Sequence, residues 1–204
     1  SDGTVSTSDL YADYIYLDTD ERKRFAQVSH EYLIEQVQYR SFGSGKLKFD
    51  IGFINHPVKE LLWINGRINN QGYFWNNKPA STNEPRKEDI IPKTKWKLRL
   101  NGHDRFSERW TSYFTRKQVA DYHSGGLNSE EGVLDKVAIY SFALKPEEHQ
   151  PSGTCNFSRI DSAELLSSIE LKTSGGDPLG LEVYAINYNV LRVMSGMGGL
   201  AYSN

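Results

Sequence analysis

Short β-prone runs at regular spacing, punctuation by Asn-Gly, Pro and Gly, and little sustained helical periodicity predict an all-β chain. The expected fold is an antiparallel jelly-roll β-sandwich. The chain's 204 residues suffice to bury on the order of 70% of the unfolded surface around one core. Lys and Arg number 24 against 26 Asp and Glu, a net charge of −2, so no direct nucleic-acid or anionic-membrane partner is expected. Cys155 is the single cysteine, which excludes an intramolecular disulfide and fits a reducing compartment. No apolar run approaches the ~20 residues that a transmembrane helix needs, so no transmembrane segment is expected. The polar start carries neither a signal-peptide layout nor a Met, and the chain is expected to be a fragment of a longer product.

Tyr11 to Leu17 is a β-prone aromatic run, ended by an acidic cluster. Asp18 and Glu21 have capping-box spacing, which predicts a short helix through ERKRFAQ ending near Ser29. Carboxylates at a helix start serve as caps far more often than as metal ligands. Glu31 to Gln38 reads as a strand. From Lys46 to Phe53, Leu47, Phe49, Ile51 and Phe53 alternate with polar residues and Gly, the pattern of a half-buried strand. Val58 to Ile64 is apolar on both faces, as in a strand between two neighbours. Asn65-Gly66 is a turn signal. Residues 66–94 are rich in Asn and Pro without a period and read as a long loop. Lys95 to Asn101 places Trp96, Leu98 and Leu100 inside, and Asn101-Gly102 closes it with a turn. Ser107 to His123 fits strand or helix and is read as irregular. Leu165 to Leu171, Leu181 to Asn189 and Leu200 to Ser203 complete the strands.

The chain is organised around Val137 to Leu144, an eight-residue run free of Gly and Pro. Its β-branched and aromatic content suits a strand buried on both faces, with Ile139, Tyr140 and Phe142 packed. Pro146 and Pro151 bracket a polar loop at the rim, containing Glu147, Glu148 and His149.

SFALKPEEHQPSGTCNFSRID (141–161) closely resembles a stretch in the C-terminal half of major capsid proteins of nucleocytoplasmic large DNA viruses. YADYIYLDTDERKRFAQVSHEYLIEQVQ (11–38), NHPVKELLW (55–63) and YAINYNVLRVMSGMGGLAYSN (184–204) agree with it. The resemblance implies a structural component of an icosahedral viral capsid, with two jelly rolls in tandem and a homotrimer shaped as a pseudo-hexagonal capsomer. It implies neighbouring capsomers and minor capsid proteins as partners, and a virion assembled in the host cytoplasm. On that basis residues 1–40 are expected to be the end of a first jelly roll with its connector (strand, short helix, strand), and 41–204 the C-terminal jelly roll. Tyr14, Ile15, Tyr16, Leu33, Ile34 and Val37 would then lack sheet partners.

No residue pattern calls for catalysis, a cofactor or a metal, and none of the three is expected. Gly45-Lys46 fails as a phosphate loop because Leu47 stands where a magnesium-binding hydroxyl belongs and Arg40 where the first glycine belongs. Gly196, Gly198 and Gly199 are followed by too little chain for the helix of a dinucleotide site. His30, His56, His103, His123 and His149 lack zinc-site spacing. Glu147 and Glu148 are sequence neighbours, a poor arrangement for holding a sugar between two carboxylates. Asn156-Phe157-Ser158 matches an N-glycosylation triplet that stays silent outside a secretory lumen. Tyr73, Phe74 and Trp75 could form a sugar-stacking platform, and a lectin-like carbohydrate-binding β-sandwich is the alternative function.

Overall fold

Alternation along short strands builds two antiparallel sheets, and one capped helix leads into them. The structure is a computed structural model describing residues 9–43, 45–66, 94–124, 137–170 and 180–203. Asp18 caps helix α1 (Thr19–Gln27) as its spacing predicts, its Oδ1 accepting the Glu21 N–H at 2.8 Å. The strands that follow are β1 (His30–Phe42), β2 (Lys48–Asp50), β3 (Pro57–Gly66), β4 (Lys95–Leu100), β5 (His103–Asp104) and β6 (Arg109–Trp110). After a π turn (Tyr113–Lys117) and helix α2 (Gln118–Tyr122) come β7 (Val137–Ser141), β8 (Cys155–Asn156), β9 (Ala163–Ser167), β10 (Gly180–Met194) and β11 (Met197–Leu200).

One sheet runs β1-β10-β3-β7, with β11 on β10 and β8 on β3. The other runs β2-β9-β4-β5, with β6 on β4. The antiparallel pairs β1·β10, β2·β9, β3·β7 and β4·β5 are nested, the early strand of each meeting a progressively earlier return strand. This is a long hairpin rolled over itself, and rolling sets β10 beside β3 and β9 beside β4. The result is a jelly roll.

Between the sheets lies an aromatic core. Trp63 of β3 and Trp96 of β4, each 2% exposed, meet edge-on with centroids 5.8 Å apart. Phe114, fully buried, packs 5.0 Å from Trp63. Full burial of a large apolar side chain contributes roughly 1.5–3 kcal/mol. Trp96 also donates its indole N–H to Thr111 Oγ1 at 3.0 Å, so its one polar atom is satisfied.

Several expectations are corrected. Glu31–Gln38 is not left unpaired. It lies in β1, which pairs with β10 along all thirteen residues, so Leu33, Ile34 and Val37 have sheet partners and a boundary at 40/41 would cut through a strand. Tyr11 to Leu17 belongs to neither helix nor strand. The 46–53 alternation shrinks to β2, because Asp50 Oδ1 accepts the Gly52 N–H at 2.9 Å and turns the chain. Phe49 and Ile51 are nonetheless buried, while Leu47 is exposed. Asn65 and Gly66 remain in β3, opposite Leu181 and Gly180.

The 107–123 segment is mostly helical, anchored by Phe114 in the core and by Gln118 Oε1, which accepts the Ser141 N–H at 3.1 Å. β7 is an edge strand rather than a doubly buried one, and Leu144 is 73% exposed. Beyond Ser141 the chain leaves the sheet, the Phe142 and Ala143 N–H groups both reaching Lys59 O. β9 starts and ends earlier than Leu165–Leu171. β11 precedes the expected 200–203 strand because Ser195 (φ 51°) and Gly196 (φ 78°) make a tight left-handed hairpin turn, leaving Gly198 and Gly199 inside the strand. Asn101 (φ 50°) and Gly102 (φ 77°) turn β4 into β5 in the same way.

Candidate functional site

The proline-bracketed loop is ordered by its own backbone and by side chains from β1 and the end of α2. The Leu144 N–H reaches Ser152 O at 3.4 Å, the Lys145 N–H reaches Ser152 Oγ at 2.8 Å and the Glu148 N–H reaches Lys145 O at 3.3 Å. Gly153 (φ 143°) passes so close to Phe142 O that a Cβ there would lie 2.9 Å from it. Glu147 and Glu148 part company. Glu148 pairs with Lys145 at 3.0 Å, whereas Glu147 reaches over to the end of α2.

At that end His123 sits between two carboxylates. Its Nε2 lies 3.2 Å from Glu60 Oε2 of β3, and its Nδ1 lies 3.4 Å from Glu147 Oε1. The Glu60 contact is a close approach without the alignment of a hydrogen bond, and among the described residues neither atom has another partner. The His123 and Glu60 side chains are only 13% and 7% exposed. Glu60 raises the His123 pKa above its ordinary value, outweighing the opposing effect of burial, with Glu147 adding to the rise. Glu147 shifts the other way, held below the usual carboxylate range chiefly because Ser124 donates its hydroxyl and its backbone N–H to it.

Beside this pair, Lys59 is almost fully buried, donating to Glu35 Oε1 of β1 at 2.7 Å and lying 5.6 Å from the Tyr188 ring centre. His149 Nδ1 stands 3.5 Å from the same Glu35 oxygen. Further along the outer face, Glu182 accepts the hydroxyls of Tyr39 at 2.9 Å and Tyr184 at 3.1 Å. Burial, with Glu182 beside it, pushes the Tyr184 pKa up to about 12. Sequence reasoning missed Glu35, Lys59, Glu60 and Glu182. A signal for two of them was present: Lys59-Glu60 is a charged pair inside the apolar run VKELLWI, and buried charges require partners.

The remaining histidines do not join this cluster. His30 stacks on Phe25 at 4.5 Å, His56 precedes β3 with φ 67°, and His103 lies exposed in the β4–β5 hairpin. Among the described residues no group of three or more His, Cys, Asp or Glu could hold a metal ion. No helix among them is long and apolar enough to cross a membrane. Asn156-Phe157-Ser158 forms a tight turn: Asn156 Oδ1 accepts the Ser158 N–H at 3.1 Å, Phe157 is buried, and Ser158 Oγ accepts the His56 N–H at 2.8 Å. Cys155 is half-buried, and burial raises its thiol pKa. The 73–75 aromatics and most of the 66–94 loop lie outside the described residues.

The largest departure from a self-contained domain is the arm ahead of α1. Leu10, Tyr11, Tyr14, Ile15 and Tyr16 are 78–96% exposed, an apolar surface of the kind that marks contact with other protein.

Among the described residues a nested jelly roll of eight paired strands, with an exposed apolar arm ahead of α1, defines the class as a sandwich of viral-capsid type. The chain belongs to the family described as large eukaryotic DNA virus major capsid protein, which matches residues 21–199. It is 45% identical to the major capsid protein of Pyramimonas orientalis virus, covering 100% of this chain and 51% of the relative. It is 38% identical to the major capsid protein of Paramecium bursaria Chlorella virus 1, covering 97% of this chain and 54% of that one. The solved structure of PBCV-1 VP54 superposes with a TM-score of 0.72 at 36% identity, over 94% of this chain and 56% of that one. The chain thus spans about half the length of the relatives it matches.

Proposed function

We propose that this chain is the C-terminal portion of a major capsid protein that builds trimeric, pseudo-hexagonal capsomers of an icosahedral virion. The observation that carries the reading is the nested jelly roll, coupled to its likeness to PBCV-1 VP54 at a TM-score of 0.72 and 36% identity. Coverage of about half of each relative supports a tandem arrangement in which a second sandwich precedes this one. The exposed run Tyr11 to Leu17 would complete that preceding sandwich, which accounts for a β-prone segment lying in no strand here. The task is geometric rather than catalytic: rigid sheets set subunit contacts and the connecting loops vary. Neighbouring capsomers and minor capsid proteins are the partners, and assembly takes place in the host cytoplasm.

The test is the mass of the full-length protein in solution, together with electron micrographs of particles assembled from it. Trimers and hexagonally packed shells are the expected result. A monomer that never enters particles would contradict the reading.

A further inference from the structure

We propose that loop 145–150 is held by a proton-dependent latch, in which the His123 imidazolium bridges Glu60 of β3 and Glu147 of the loop. Three separate elements, β3, the end of α2 and the loop, meet at one ring, at 3.2 Å and 3.4 Å. A neutral imidazole would offer one N–H to two carboxylates and leave the other facing a lone pair. Only the cation suits both sides, and among the described residues Glu60 Oε2 has no other donor.

The surrounding charges leave His123 as the switch. Lys59, next to Glu60, is committed to Glu35, whose same oxygen His149 Nδ1 approaches at 3.5 Å. Asp121 of α2 is engaged by Lys117, and Lys145 by Glu148. Tyr188 of β10 stays neutral, its pKa raised mainly by burial. β7 sets Ser141 opposite Glu60 and packs Tyr140 against Phe106 and Phe142, and Tyr122 adjoins His123 in the chain.

The sign follows from the direction of the shifts. His123 is raised, so its contribution is complete below its ordinary value of 6.5 and is lost as pH rises through the higher folded value. Glu147 is lowered, so its contribution is complete above its ordinary value of 4.5 and is lost only as pH falls through the lower folded value. The latch is closed between these limits and opens on the alkaline side.

Hydrogen exchange tests this on the 204-residue chain, wild type against His123→Gln, compared at the same pH with each amide corrected for its own intrinsic rate. At about pH 6 the amides of Ser124, Leu144, Lys145 and Glu148 are expected to exchange several-fold faster in the variant, and at about pH 9 the difference should shrink toward none. Glu147→Gln, altering an exposed carboxylate, should loosen the same amides more at the lower pH while those of β10 keep their protection. The second variant decides the matter if the first fails to fold. A variant-to-wild-type ratio equal at both pH values, or no difference at about pH 6, would overturn the proposal.

Discussion

Residues 9–17 and β10 are built from the same kinds of side chain and meet opposite fates. Tyr14, Ile15 and Tyr16 are 78%, 88% and 91% exposed, whereas Leu181, Val183 and Tyr188 are 0%, 1% and 4% exposed. β10 has β1 on one side, and β3 followed by β11 on the other. Among the described residues the arm has no strand beside it. Strand propensity describes fitness for a pleated, half-buried surface, and without that surface it specifies nothing. The difference separates residues whose stabilising contacts lie within this sandwich from residues that it leaves exposed.

Replacing core and arm side chains sharpens that contrast. Trp63→Ala should have the largest effect, about 3–5 kcal/mol of lost stability by urea denaturation, because it opens a cavity against Trp96 and Phe114. Phe142→Ala should cost less, about 1–3 kcal/mol, since this ring packs on Tyr140 and Phe157 but is only partly buried. Tyr14→Ala with Tyr16→Ala should stay within about 0.5 kcal/mol in this chain. An arm variant as damaging as Trp63→Ala would erase the distinction.

How far the fold could be read from sequence depended on how local its cause was. The Asp18 cap, the β4 alternation and the Asn101-Gly102 turn each rest on residues within a few positions of one another, and each appears where expected. β3 was legible as a strand between neighbours because both faces are apolar. The place of β1 was not, since its partner β10 is some 150 residues away and nothing in HEYLIEQVQYRSF names it. β7 was misjudged for a related reason. Its composition matches a buried strand, but its outer edge meets Gln118 rather than another strand. His123 and Glu60 stand far apart in sequence, so the charged cluster emerges only once β3 and α2 are folded together.

The measurement that bears most directly on the central claim is hydrogen exchange of the 9–17 amides, in the 204-residue chain and again in the full-length assembled protein. In the chain alone these amides should exchange without protection while those of β10 remain protected. In the assembled protein they should become protected as members of a strand. Protection matching β10 in the chain alone, or none after assembly, would contradict the assignment of this arm to a neighbouring sandwich.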